Sequence, residues 1–327
     1  MTLRHLILST TVGSLGALTA CGYCPPSDPE SFWLHDDVTE ADVQAIIEEY
    51  NQARFAIDCD TVCEYKYFQD PGNGDWMSPH AETCTLELDP EPAEQPEDIV
   101  GDVTCEGEAY DGERTEMCEG RRPLGHVEPP SDDASLDAVL ARCAHLEAAS
   151  VVAFRQLARQ LHGWGAPVAL IERCLQAAAE EAEHARVMAA LTKAHIPHTD
   201  PTPTEETLFA VALHNAVEGC VNECWAAMLA FLKSRMARTP ALRAAYARLV
   251  DDETRHGELA WDVHRWLMGQ LNETDQQRIT EAQRAAIARL PAVARVQAEW
   301  LPQAMGLPAP AAAAAMARRF GAGLLAA

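Results

Sequence analysis

The 327-residue chain carries 50 Asp and Glu against 25 Lys and Arg, a formal net charge of −25 at pH 7. Such a surplus repels phosphate backbones and anionic headgroups, which excludes nucleic acid as a partner. The charge is also uneven: 30 acidic and five basic residues lie between Pro26 and Asp133, but 20 and 19 from Ala134 onward, which argues for two physical units.

In chain order, Arg4 and His5 precede a mostly apolar run from Leu6 to Leu18 that ends in Leu18-Thr19-Ala20-Cys21. The run is too short to span a bilayer and reads as an export signal over residues 1–20. Leu-Thr-Ala-Cys resembles the bacterial lipobox, and the resemblance implies that Cys21 is acylated and becomes the first mature residue. By the same resemblance, Gly22 after the cysteine favours the outer membrane. The membrane is then a partner through the lipid anchor alone. Residues 21–40, rich in Pro, Ser, Asp and Glu, read as a flexible acidic linker.

Residues 41–123 read as a small Cys-rich acidic segment. Cys24, Cys59, Cys63, Cys84, Cys105 and Cys118 form an even set in an exported, apolar-poor stretch, which predicts up to three disulfides without choosing their pairing. One helix is predicted, from Glu40 to Ile57, followed by turn-rich sequence such as Asp70-Pro71-Gly72-Asn73-Gly74. Cys143, Cys174, Cys220 and Cys224 fall inside helical patterns and read as small buried side chains. Pro123 to Asp133 is a second linker.

Beyond it the apolar period becomes helical. Ser135 is a predicted N-cap, and Leu136, Val139, Leu140, Cys143, Leu146, Ser150, Phe154, Leu157 and Leu161 mark one face of a first long helix. Gly163 to Pro167 breaks it. A second helix is predicted over about Val168–Ala194, a third over about Glu205–Ala237 after a longer Pro-rich connection, and, past an interruption at Arg238-Thr239-Pro240, a fourth to about Leu271. Two short hairpin loops flanking one longer connection are the layout of an all-α, four-helix bundle with one crossover, over residues 135–271. A fifth helix, Thr274 to about Leu290, and an Ala-rich helical tail beyond Pro308 make a C-terminal extension over 272–327.

Four of these helices carry a repeated chemical pattern. The second holds Glu181 and His184, the fourth Glu253 and His256, each pair three residues apart and so on one face. Glu147 lies on the apolar stripe of the first helix, and Glu218 on that of the third among Val211, Val221, Trp225 and Leu229. Carboxylates facing a core need a positive partner. Arg142, Arg186, Arg255 and Lys233 fall off the stripes and are expected to reach solvent, so metal ions are the expected neutralisers. Oxygen and imidazole donors suit iron or manganese. Glu147 to Glu181 spans 34 positions and Glu218 to Glu253 spans 35, as a duplicated hairpin would give. Glu223 is the alternative third-helix ligand; five residues from Glu218, it lies about 140° round an α-helix, and Glu218 is preferred. Glu180, Glu183 and Asp252 read as solvated or supporting groups, and His145, His162, His195, His198, His214 and His264 as structural or surface residues.

The set Glu147, Glu181, His184, Glu218, Glu253 and His256 resembles the ferritin-like di-iron carboxylate superfamily, in which two helices give one Glu each and two others give Glu-x-x-His. Val217 to Val221 and Asp251 to His256 look closest to the branch that includes demethoxyubiquinone hydroxylase and tRNA hydroxylase. The resemblance implies two iron ions, with manganese as the substitute, and oxidoreductase chemistry with dioxygen or peroxide and an electron donor or substrate it does not name. A ferroxidase or other metal-handling protein and a non-catalytic surface lipoprotein are the two competing expectations.

Overall fold

The computed structural model describes residues 3–11, 30–50, 52–70, 77–111, 121–124, 126, 133–197, 207–301 and 303–326. The described chain is mostly helical but not all-α, because the acidic half contains a three-stranded antiparallel sheet. The strands are β1 (Glu30–Thr39), β2 (Met77–Leu88) and β3 (Ile99–Asp111), in the order β1-β3-β2. Their alternation is legible once known: Val103, Cys105, Gly107 and Ala109 turn inward on β3 while Glu106 faces out. Acidic residues at the outward positions hide that period in a sequence dominated by charge.

The predicted linker over 21–40 is therefore corrected in its second half, which is β1. Residues 21–29, with Cys21 and Cys24, lie outside the described residues, as does Cys118. Thr39 and Asp42 cap α2 (Glu40–Tyr50) reciprocally, the Thr39 amide donating to Asp42 Oδ2 at 2.8 Å and the Asp42 amide to Thr39 Oγ1 at 3.3 Å. The predicted helix thus ends at Tyr50 rather than Ile57, and a second one, α3, runs Cys59–Gln69. Disulfides Cys59–Cys84 and Cys63–Cys105 tie α3 to β2 and β3.

This unit is not a detached appendage. Val38, Val43 and Ile46 share a core with Ala311 and Ala315 of the last helix. Glu64 on α3 is buried and paired with both Arg295 and Arg318.

The N-terminal segment Leu3–Thr11 is a helix, α1, whose Leu3, Leu6 and Ile7 are buried with Trp225, Met228 and Phe320. No helix among the described residues is long and apolar enough to cross a membrane.

The long helices are α4 (Leu136–Gly163), α5 (Val168–Ala189), α6 (Leu208–His214), α7 (Cys224–Met236) and α8 (Pro240–Met268). Ser135, Thr207 and Thr239 cap α4, α6 and α8 with their hydroxyls, and Gly165 at φ 75° makes the turn after α4. Between α6 and α7, residues Asn215–Glu223 are π-helical, so the predicted third helix is one rod with a widened middle. α4 packs along α5, α5 against α8, and α8 against the π segment and α7. The remaining flank, between α4 and the π segment, is filled by Arg121–Leu124.

The fifth helix, α9 (Glu273–Trp300), does not stop at Leu290. It runs through Pro291, where burial of Leu290, Pro291 and Ala292 offsets the lost backbone bond. The Ala-rich tail forms α10 (Pro310–Leu325), as its composition predicts. Two further expectations are corrected. Lys233 does not reach solvent: it is fully buried, with its ammonium 4.9 Å from the Tyr246 ring centroid. Cys143 is buried as expected, yet it is disulfide-bonded, while Cys174, Cys220 and Cys224 are free and buried.

Candidate metal centre

The duplicated pattern brings its residues together. Glu147 on α4, Glu181 and His184 on α5, and Glu253 on α8 are buried and offer ligand atoms all within 4.8 Å of one another. Glu181, Glu223 and His256 form a second such set. His184 Nδ1 lies 3.6 Å from Glu147, 3.5 Å from Glu181 Oε2 and 3.0 Å from Glu253 Oε1. His256 Nδ1 lies 3.2 Å from Glu181 Oε1 and 3.7 Å from Glu253 Oε2. Glu181 and Glu253 therefore each send one oxygen toward each imidazole. The two sets share a wall of carboxylate.

The outer ring nitrogens are fixed by carboxylates across the helix pair. His184 Nε2 lies 3.2 Å from Asp252 Oδ2, and His256 Nε2 lies 2.9 Å from Glu180 Oε2. Each imidazole of one helix is thus held by the acid that precedes the glutamate ligand of the other. In the neutral ring, an Nε2–H donating outward leaves Nδ1 as the lone pair directed into the cluster.

Glu218 and Glu223 both turn inward, each 2 % exposed, and the π segment is the reason. Residues five apart diverge by about 140° in an α-helix, but an i→i+5 backbone bond brings them to about the same side. Their roles are the reverse of the sequence preference. Glu223 joins the second set, whereas Glu218 Oε1 accepts from the Arg122 amide at 3.0 Å and from its guanidinium at 2.9 Å. Arg122 holds the Glu218 carboxyl down to about 2, despite burial pulling the other way.

Arg121 and Arg122 are the partners that sequence reasoning missed. Arg121 donates to Glu223 Oε2 at 3.1 Å and to Asn215 Oδ1 at 2.9 Å, and its carbonyl accepts from Ser150 Oγ at 2.9 Å. A Cβ at position 219 would lie 2.6 Å from the Arg121 guanidinium, so Gly219 makes its berth. A signal existed: two of the five basic residues between Pro26 and Asp133 stand side by side, at 121 and 122.

Both oxygens of Glu147, Glu181 and Glu253, one of Glu223, and Nδ1 of His184 and His256 are buried without a hydrogen-bond partner. Leaving one such group unmade costs about 1–3 kcal/mol, so this convergence is a strained arrangement that a cation would relieve. Burial pushes Glu147 well above the usual carboxylate range, and pushes Glu223 up to about 8 against the pull of Arg121. Burial opposes charging of His184 and His256, yet the surrounding carboxylates raise both far above the ordinary imidazole value. Without metal, protons do the neutralising. Glu183 is a surface residue paired with Arg186 and Arg248, and His145 and His214 bond backbone carbonyls of Pro197 and Arg122, outside the cluster.

Comparison with protein-family models, with curated proteins and with solved structures found no match.

Proposed function

We propose that this is a ferritin-like four-helix bundle holding two iron ions, with manganese as the alternative metal, in an exported, lipid-anchored oxidoreductase. The observation that carries this reading is the convergence of unpartnered oxygens and imidazole nitrogens at Glu147, Glu181, His184, Glu223, Glu253 and His256. A hydrophobic core tolerates such a set when cations lie between the donors or protons neutralise them, and the donor types suit metal ions. Glu147 and His184 would hold one ion, Glu223 and His256 the other, and Glu181 and Glu253 would face both. Iron so held supplies electron transfer to dioxygen or peroxide. Asp252 and Glu180 keep each imidazole in one tautomer, and the buried glutamates release protons as the ions enter.

A second reading, a ferroxidase or peroxide-reducing role, is favoured by the closure of the α4 flank. Arg121, Arg122, Pro123 and Leu124 border a cavity of about 20 Å³ shared with Gln156, Gln160 and His214. None of these residues belongs to the cluster, and it is the filling of the flank by Arg121–Leu124 that favours a small oxidant over an organic substrate.

Metal content of the full chain, measured by mass spectrometry after anaerobic ferrous loading, tests the proposal beside the Glu181→Ala/Glu253→Ala variant. Two irons per chain, lost in the variant, are expected. A wild-type chain that takes up none overturns it in favour of a structural lipoprotein.

A further inference from the structure

The two halves of the cluster are not equivalent. Around His184, the carboxylates of Glu147, Glu181 and Glu253 converge with the ring, and both oxygens of Glu147 are unpartnered. Around His256, Glu181 and Glu223 converge with the ring while Glu253 Oε2 stands farther off, 3.7 Å from Nδ1, and one oxygen of Glu223 is already taken by Arg121. The other oxygen, Oε1, is unpartnered. Of the four clustered carboxylates, Glu223 is the one with an arginine beside it among the described residues, and both members of that pair are at most 3 % exposed.

Arg121 is not there by accident of a flexible surface. Its main chain is held by Ser150, its second guanidinium nitrogen by Asn215, and the adjacent Arg122 by Glu218 and His214. The guanidinium also lies 5.8 Å from the centroid of Phe154, whose ring stands 5.2 Å from that of His256. A fixed positive charge next to one half raises the cost of placing a second cation there, since Coulomb repulsion in a site shielded from water is weakly screened. It also ties down one of the oxygens a cation would use.

Resting on the di-metal reading above, we propose that Arg121 makes the metal pair load in order: the Glu147/His184 half fills first and tightly, the Glu223/His256 half second and more weakly. Arg121 is then a positioning residue, acting on the metal through Glu223. The segment that carries it belongs to the acidic half of the chain, which thus supplies one residue beside the cluster.

The test is calorimetric titration of the full chain with Co²⁺ at fixed pH, with the cobalt absorption bands followed in parallel. The wild type is expected to take two ions in separate steps, and Arg121→Gln to tighten the second step by about tenfold or more, leaving the first unchanged. Arg121→Lys, which keeps the charge, should keep the two steps apart. Glu223→Gln retains a hydrogen-bond acceptor for Arg121 and should bind one ion, which keeps the idea decidable if Arg121→Gln does not fold. Equal steps in the wild type, an unaltered separation or the loss of both ions in Arg121→Gln, or two or no ions in Glu223→Gln would overturn the ordering. A wild-type chain that binds no cobalt overturns instead the di-metal reading on which it rests.

Discussion

His184 on α5 meets Asp252 on α8 through its outer nitrogen, 3.2 Å from Oδ2, and this bond aims Nδ1 at Glu147, Glu181 and Glu253. His256 and Glu180 repeat the arrangement from the opposite helix at 2.9 Å. Removing such a supporting carboxylate costs metal affinity by about 10- to 100-fold in comparable sites. Asp252→Asn and Glu180→Gln should therefore each weaken one binding step by that order, with helicity unchanged. Competition with a calibrated chelator, alongside circular dichroism, checks it; full affinity in both variants would remove the supporting role.

The metal-free protein should lose stability as pH rises toward about 8. Glu223 is raised from 4.5 to about 8 by burial, and a raised folded value contributes stability that is present below the unfolded pKa and lost as pH climbs through the folded one. Glu147, His184 and His256 are raised too and act in the same direction. Glu181 is depressed, by His184 and His256 against its burial, so its opposite contribution changes only below its ordinary 4.5. Melting of the chelated protein from pH ~5.5 to ~8.5 should thus show a falling Tm, and metal should reverse the trend because deprotonated ligands bind more tightly. A Tm that rises over this window contradicts the protonated-cluster picture.

Glu64 should contribute to acid lability beside Glu181 and Glu218, whose carboxyls are also depressed. Burial opposes its ionisation, but Arg318 and Arg295 hold its carboxyl below the ordinary 4.5. A depressed folded value means stability present above the unfolded pKa and lost as pH falls through the folded one. Glu64→Ala leaves two partly buried arginines without their carboxylate and should cost about 3 kcal/mol; Glu64→Gln should flatten the acid limb of the Tm profile. Urea titrations at neutral and low pH measure both.

The disulfide Cys63–Cys105 closes a separation of 42 residues. Chain-entropy reasoning gives about 4 kcal/mol for a loop of that length. Cys63→Ala/Cys105→Ala should lower the denaturation midpoint of the N-terminal sheet, followed by its β signal, while bound metal per chain stays at the wild-type value. Metal lost together with the sheet would show that the two units unfold as one.

The sequence by itself determined the long helices, their caps and five members of the cluster. Apolar positions at three- and four-residue steps, Ser135 as a cap, and Glu-x-x-His on two helices are local patterns, and local patterns survive without knowledge of the fold. The two disulfides found fall within the predicted set of cysteines, though no spacing could pair them. Tertiary structure alone decided the rest. Glu223 rather than Glu218 joins His256 because a π-helical stretch rotates the register, and backbone widening leaves no mark in a pattern read at 3.6 residues per turn. Arg121 reaches Glu223 from 102 positions away, and Arg295 and Arg318 reach Glu64 from more than twice that distance in sequence. Such pairings are fixed by which surfaces pack together. Burial then makes each charge need a partner, and the chain supplies it from wherever the fold has brought one near.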